Sequence, residues 1–503
     1  MKLKELIKDL KVEKITPLAN PDISGISYDS RRVKEGYLFV AIRGFKDDGH
    51  RYLSEALEHG ARAVIVEKDT LLAKKNIAKI RVKDSRVALA ILSSNFYHAP
   101  SEHLKVIGVT GTNGKTTVTY LLEAILKKAG YRTGLIGTIT YKIGDRIIAA
   151  HTTTPESLEL ESLLAELVRE KSDYLVMEVS SHSLTQHRVE KIEFDAAIFT
   201  NLAKFEHLDY HHRMKEYLSA KLSLFQKYLA ESPKKEKRAI INIDDPFASS
   251  FLKAARINKI KVITYGMKGG DVRARNYLTT ELGASFKIES LAGNLQIFTK
   301  LMGKFNLYNI LAAVSFGIAE GINLELVKEG IEGAETIPGR LEPVDCGQPF
   351  KVLVDYAHTE SALRNLLLFA RELPFDRILL IFGCGGDRDR RKRPLMGKIA
   401  AKFADFSIIT SDNPRSEEPE SIIKEIEKGI RRGYRKKYKV VVDREEAIRE
   451  GIAKAEKGDL LLIAGKGHET YQILKDTIIP FDDRLLTRKI LENMGKEEAR
   501  AVP

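Results

Sequence analysis

Short, mostly apolar stretches alternate along most of the chain with longer stretches whose apolar residues recur every three or four positions. Residues 37–42 and 61–66 are runs of the first kind, and between them residues 52–57 space their apolar side chains for a helix. A strand at 106–109 opens a longer series with the same alternation. The helix that follows it carries Val118, Leu121, Leu122, Ile125 and Leu126 on one face. After Ile337-Pro338-Gly339-Arg340 the apolar runs 352–354, 378–382, 406–409 and 460–463 are again separated by helical patterns. Strands and helices in this order predict doubly wound parallel sheets, the α/β class.

The breaks in the pattern divide the chain. One falls near Ala99-Pro100 and the other near residue 337, which gives a small α/β unit over 1–100, a longer sheet over 101–336 and a Rossmann-like unit over 337–503. A length of 503 residues agrees with about three domains of ordinary size.

The strand at 106–109 runs into Gly111-Thr112-Asn113-Gly114-Lys115-Thr116-Thr117 and then into the helix. Glycines let backbone N–H groups turn onto phosphate oxygens, and the helix N-terminus adds positive potential. Lys115 neutralises charge, and Thr116 can ligate Mg²⁺. A full-length phosphate loop would have glycine at position 109, where Val109 stands, so the match is to a shorter variant. ATP and Mg²⁺ are the ligands this loop predicts.

Downstream, the apolar run 174–177 ends in Glu178 and is followed by Ser180, at the sheet edge where ligands bind in such folds. Glu178 is a candidate magnesium ligand, with a cap or salt-bridge role as the alternative. Between 201 and 212, three histidines and two acids cluster, a pattern open to a transition metal or to magnesium. Hard oxygen ligands elsewhere favour magnesium.

Composition narrows the class more than the chemistry. Hydrophobic residues make up 43% and charged residues 30%, ordinary for a folded soluble enzyme. Cys346 and Cys384 are the only cysteines, too few for a disulfide framework, and the reducing cytoplasm is the expected compartment. The N-terminus lacks the apolar core of a signal peptide, and no stretch has the length of a membrane helix. A net charge of +13 attracts nucleic acid, anionic lipid or anionic small molecules alike. The basic runs 234–238 and 431–439 carry no nucleic-acid module and read as solvated. No nucleic-acid partner and no membrane insertion are expected, and the chain is expected to be a monomer.

The loop at 110–117, Glu178-Val179-Ser180-Ser181-His182, Glu206-His207-Leu208-Asp209 and Asp355-Tyr356-Ala357-His358, in this order, resemble the Mur ligases, which build the peptide of bacterial cell-wall precursors. Ser27 to Arg31, Asp412-Asn413-Pro414-Arg415 and Gly465-Lys466-Gly467-His468-Glu469 resemble the member adding the third peptide residue. The Asp-Asn-Pro-Arg form is associated with meso-diaminopimelate rather than lysine.

The resemblance implies a nucleotide-sugar-binding N-terminal domain, a central ATPase domain and a C-terminal amino-acid domain. It also implies a reaction. ATP would phosphorylate the D-Glu side-chain carboxylate of UDP-N-acetylmuramoyl-L-alanyl-D-glutamate, and an amine of diaminopimelate would attack the acyl phosphate. Such chemistry rests on positioning and charge neutralisation. Lys221, a position ordinarily read as a solvated helical lysine, would be carbamylated and join His207 and Glu178 around a second Mg²⁺.

By the same resemblance, Asn306, Asn309, Arg340 and Asp355 would surround ATP. Tyr28, Ser30, Phe45, Lys46 and Asp47 would hold the uridine nucleotide. His151, Thr152, Thr153, Ser180, Gln186 and Arg188 would meet the muramoyl dipeptide. Diaminopimelate carries an ammonium and a carboxylate at each end, so Arg388 and Arg415 would grip carboxylates and Glu469 an ammonium. Asp412, Asn413, Pro414 and Gly465 complete that pocket. Glu206, His151 and Tyr28 depart from the residues common in the family. Folylpolyglutamate synthetase shares the short loop and the acyl-phosphate chemistry but lacks a separate uridine-binding domain, so residues 1–100 count against it.

Overall fold

The computed structural model describes every residue except 18, 45–46, 73–75, 204–207, 431–432, 434–436 and 502–503, and all side chains but those of these residues, 208–209 and 495–501. His207, Glu206, Phe45 and Lys46 lie outside the described residues.

Three large sheets follow one another along the chain. The first has five strands in the order Val12–Thr16, Ala78–Val82, Ala63–Val66, Tyr37–Val40, Gly25–Ser27, parallel except for the first pair. The central sheet has eleven. Its parallel heart runs Lys261–Gly266, Arg238–Asn242, Ala196–Phe199, Lys105–Thr110, Tyr174–Glu178, Thr133–Ile136. The third has six, with Lys351–Asp355, Leu460–Ala464, Ile378–Phe382, Phe406–Ile409 and Tyr438–Val440 all parallel. This is the α/β architecture that the alternating pattern predicts.

Burial explains which strands the pattern exposed. Tyr174–Glu178 and Ile378–Phe382 are buried at every position. Helices cover both faces of the central sheet: Lys115–Lys128 and Lys304–Glu320 pack on one, Ser157–Arg169 and Ala248–Ile257 on the other. Strands with helices on both sides read as continuous apolar runs. The outer strands Gly283–Ser290 and Gly293–Thr299 pair antiparallel and alternate buried positions with half-buried ones in the first and with exposed ones in the second, because one face only meets the core. They had no such signature.

Two contacts bring the third sheet's domain onto the central one near residue 115. Asn113 Nδ2 donates to Ser361 Oγ at 3.3 Å, and Arg340 Nη2 donates to Thr116 Oγ1 at 3.3 Å. The N-terminal unit reaches the helix Ser157–Arg169 through Tyr28, whose hydroxyl donates to Glu159 Oε1 at 2.9 Å, and through Arg86, 3.1 Å from Glu156.

Candidate active site

Strand Lys105–Thr110 lies in the middle of the central sheet, so the loop after it opens at the carboxyl edge between two neighbouring strand ends. Gly111 and Gly114 have φ of +152° and +89°. A Cβ at Gly111 would stand 1.9 Å from Thr200 Oγ1, and one at Gly114 2.2 Å from Asn309 Oδ1, so both positions need glycine for shape and for backbone angle. The residues after strand Ala196–Phe199 hold the loop. Thr200 Oγ1 and Asn201 Nδ2 donate to the Asn113 carbonyl at 2.7 and 3.0 Å, and Asn113 N donates to Asn201 Oδ1 at 3.0 Å. Sequence reasoning passed over Thr200 and Thr138. A polar residue just past a buried parallel strand was the available signal.

Lys115 Nζ donates to the carbonyls of Gly111 and Thr112 at 3.0 and 2.9 Å. Lys221 Nζ donates to the same Gly111 carbonyl at 2.8 Å, and its side chain is 1% exposed. Burial, with the Lys115 charge adding to it, drives the Lys221 amine well below the usual lysine range. Glu178 is equally buried. Its Oε1 accepts from Thr116 Oγ1 at 2.9 Å and from Thr138 N at 2.8 Å, and its Oε2 accepts from Thr138 Oγ1 at 3.0 Å. Thr138 Oγ1 lies 3.1 Å from Thr153 Oγ1, which extends this network toward the residues expected at the dipeptide.

The hydroxyl of Thr116 and the carboxylate of Glu178 form a hard-oxygen pair beside the phosphate loop. Magnesium characteristically takes one or two such protein ligands and completes its shell with phosphate oxygens and water, so this pair fits it. Among the described residues no group of three or more His, Cys, Asp or Glu is arranged to hold a metal.

Asn309, on helix Lys304–Glu320, faces Gly114 of the loop and donates from Nδ2 to Asn306 Oδ1 at 3.1 Å, while Asn306 Nδ2 donates to the Met302 carbonyl at 2.8 Å. Asp355 ends its strand and accepts from the backbone N–H groups of Leu341 and Ala357, both at 2.9 Å. Burial raises its carboxyl against the opposing pull of Arg340. The Arg340 guanidinium lies over the Tyr356 ring, 4.6 Å from its centre.

The residues expected at the dipeptide are held differently. Arg188 donates to Gln186 Oε1 and to the Thr154 carbonyl, and lies 3.1 Å from Glu156. Ser180 Oγ caps helix Ser181–Thr185, and the Thr152 carbonyl accepts from Tyr141 at 2.6 Å. His151 is exposed. Of the residues expected at the uridine, the described ones have different side-chain partners: Tyr28 is joined to Glu159, Ser30 to Glu55 and Asp47 to Tyr52.

A second cluster forms where three strand-end loops of the third sheet meet, after Ile378–Phe382, Phe406–Ile409 and Leu460–Ala464. The first two loops touch backbone to backbone. Gly386 N donates to the Asn413 carbonyl at 2.9 Å, and a Cβ on Gly386 would lie 1.8 Å from the Pro414 carbonyl oxygen. Arg415 adopts a left-handed φ of +53°, and Nη1 donates to the Gly386 carbonyl at 2.8 Å. Its backbone is pinned on both sides by hydrogen bonds to Ile473 and Lys475 of the hairpin that follows. Burial, and after it the nearby Arg388 charge, lower the Arg415 pKa against the opposing pull of Asp412, Glu469 and Asp387.

Asn413 Nδ2 donates to Glu469 Oε2 at 2.8 Å, and Lys466 Nζ donates to the same oxygen at 3.2 Å. Glu469 is thus already facing one ammonium, that of a wholly buried lysine absent from the sequence expectations. Asp412 is buried. Burial would raise its carboxyl, and the charges of Arg444 and Lys466 overcome that and hold it low.

Family models match three parts of the chain: "Mur ligase family, catalytic domain" over residues 22–97, "Mur ligase middle domain" over 109–317 and "Mur ligase, glutamate ligase domain" over 339–467. A protein of Syntrophomonas wolfei named UDP-N-acetylmuramoyl-L-alanyl-D-glutamate--2,6-diaminopimelate ligase is 48% identical, covering 99% of this chain and all of its own length. One of the same name from Caldanaerobacter subterraneus is 46% identical over the same shares. A solved structure of a ligase of that name superposes with a TM-score of 0.68 at 31% identity, covering 98% of this chain and 99% of its own. The chain belongs to the Mur ligase family.

Proposed function

We infer that the chain is an ATP-dependent, ADP-forming ligase that adds meso-2,6-diaminopimelate to the D-Glu side-chain carboxylate of UDP-N-acetylmuramoyl-L-alanyl-D-glutamate in peptidoglycan precursor synthesis. The observation that carries this reading is the union of the two clusters. The domain bearing Arg388, Arg415 and Glu469 touches the phosphate loop through Arg340 and Ser361, and relatives at 46–48% identity along the whole chain are named for this reaction.

In this reading residues 1–100 hold the nucleotide, 101–336 hold ATP, and 337–503 hold the amino acid. The loop N–H groups of 111–117 cradle the phosphates, and Lys115 turns from its carbonyl partners to the transferred phosphoryl, stabilising charge as it develops. Asn306, Asn309, Arg340 and Asp355 orient the nucleoside. Arg188 exchanges part of its hold on Gln186 for a substrate carboxylate. Arg388 and Arg415 take a carboxylate of diaminopimelate, and Glu469 orients an ammonium, so that the attacking amine meets the carbonyl carbon of the acyl phosphate and phosphate leaves.

Thr116 and Glu178 would hold Mg²⁺, which would supply charge neutralisation for the phosphates. Lys221 is the expected site of carbamylation. Its buried amine, in the unprotonated form that burial favours, would bond to the carbon of CO₂ and release a proton, and the resulting carboxylate-like oxygens would join His207 and Glu178 at a second Mg²⁺. Intact mass under non-acidic conditions tests this, and an unmodified mass for active protein would rule it out. The enzyme is proposed to act as a monomer in the cytoplasm. Two unbridged cysteines are compatible with that compartment, and among the described residues no helix is long and apolar enough to cross a membrane.

The decisive assay is phosphate release with the UDP-muramoyl dipeptide and one amino acid at a time. Release with diaminopimelate, and little with L-lysine or none added, is the expected result. Equal release with lysine would overturn the amino-acid assignment, and release on a folate acceptor instead would overturn the nucleotide one.

A further inference from the structure

The loops carrying Asp412-Asn413-Pro414-Arg415 and residues 465–469 leave strands that are not neighbours, since Ile378–Phe382 lies between them. Beneath both lies Arg444, first residue of helix Arg444–Lys454. Its Nε and Nη2 donate to the two carboxylate oxygens of Asp483 at 2.8 and 2.7 Å, and both side chains are 0% exposed. The guanidinium also bonds to backbone. Nη1 donates to the Ser411 carbonyl at 3.3 Å and Nη2 to the Ala464 carbonyl at 3.1 Å. Ser411 and Ala464 immediately precede Asp412 and Gly465. Gly465 has φ of +118°, and a Cβ there would stand 2.7 Å from Asp412 Oδ2 and 3.9 Å from Arg444 Nη2. Motif and guanidinium are packed without slack.

A wholly buried ion pair adds little stability, because removing two charges from water offsets their attraction. Apolar side chains of similar volume usually serve the fold as well or better. An apolar pair cannot bond two carbonyls from separate loops and a carboxylate at once, as the rigid planar donor fork of arginine can. Both side chains are wholly buried, beneath the loops that carry Arg415 and Glu469.

We propose that Arg444 and Asp483 are positioning residues for the amino-acid substrate: they set the separation of the two loops, and through it that of the Arg415 guanidinium from the Glu469 carboxylate. This rests on reading those loops as the amino-acid pocket.

The test uses the full-length enzyme with three changes. Arg444→Met with Asp483→Leu replaces the pair by apolar volume, Asp483→Asn removes one charge, and Arg444→Lys keeps the charge but not the fork. In steady-state phosphate release the double variant should melt close to the unsubstituted protein. Its KM for diaminopimelate should rise at least about ten-fold while those for ATP and the UDP-muramoyl dipeptide stay within about two-fold. Arg444→Lys should show the same selective rise, since a point charge does not bridge both carbonyls. In ligand-free protein, amide hydrogen exchange should quicken at 411–415 and 465–469 and stay unchanged at 110–117.

An unchanged diaminopimelate KM in a folded variant, an equal rise in all three KM values, or loss of folding in both the double variant and Asp483→Asn would overturn the proposal. If the unsubstituted enzyme proves indifferent to diaminopimelate, the amino-acid reading of the pocket fails, and the exchange measurement alone decides whether the pair holds the loops.

Discussion

The phosphate loop and the amino-acid cluster are made of the same material, loops at the carboxyl ends of parallel strands, and differ in how many strands each requires. The first is essentially one strand, one turn and one helix: residues 105–128 contain Gly111, Gly114, Lys115 and Thr116, with Thr200 and Asn201 as outside supports. The second needs three strand ends and a hairpin, and each of its two chief contacts, Arg415 to Gly386 and Asn413 to Glu469, joins two different loops. A site built locally depends on backbone angles. A site built from distant loops depends on whatever holds those loops apart.

The largest separation of the two should come from Lys115→Ala. Its Nζ stands at the loop, where side-chain rotation can bring it to a transferred phosphoryl, and losing it should lower kcat by about 10²- to 10³-fold. The KM for diaminopimelate should hardly change. A comparable rise in that KM would mean that the two sites are one cooperative unit. Arg415→Ala should do the reverse, raising the diaminopimelate KM roughly 100-fold, as expected when one partner of a partly buried charged contact is removed (~3 kcal/mol). ATP and nucleotide KM values measured in the same assay should stay put. Equal losses in all three would dissolve the distinction.

The same difference governs what could be read from the sequence. The glycines, lysine and threonine of the phosphate loop are consecutive and carry their own strand and helix, so the chemistry was visible in one stretch. Lys221 was visible only through the resemblance, because a helical lysine ordinarily points to water, whereas this one is 1% exposed against the Gly111 carbonyl. In the amino-acid cluster Arg388, Arg415 and Glu469 also came from the resemblance. Arg393, Arg444 and Lys466 were given no role in the pocket, since nothing in the sequence marks a cation as wholly buried. Arg393 pairs with Glu417 and Glu425 at 2.7 and 2.9 Å and so braces the loop before it against the loop after Phe406–Ile409. The antiparallel additions to the central sheet were likewise hidden, their alternation being weaker than the unbroken runs of the parallel strands.

Gly386→Ala sharpens the comparison at smaller amplitude. Its Cβ would meet the Pro414 carbonyl oxygen at 1.8 Å, and a backbone atom cannot rotate away as a side chain does. The loops must part, at a cost of about 1–3 kcal/mol, and the diaminopimelate KM should rise by about ten-fold with kcat at saturation little altered. A fall in kcat with KM unchanged would place the loop contact in the chemical step instead.

Glu161→Gln should leave both sites alone and change only stability, which makes it the control for the other three. Glu161 is buried on helix Ser157–Arg169, where it meets Ser94 of the N-terminal unit and Oε2 has no hydrogen-bond partner. Burial pushes its carboxyl up to about 8, with Lys191 and Ser94 opposing. A folded-state value above the unfolded one means that the folded protein binds more protons between the two. The contribution of Glu161 is therefore full below the unfolded carboxylate range and is lost as pH rises toward 8. The slope is at most about 1.4 kcal/mol per pH unit. The neutral amide has nothing to ionise, so the variant's melting temperature should fall less steeply between pH 5 and 8 than that of the unsubstituted protein. Parallel pH profiles for the two proteins would show that Glu161 ionises freely in the fold, and a change in any KM would show that the N-terminal unit's docking on this helix reaches the sites after all.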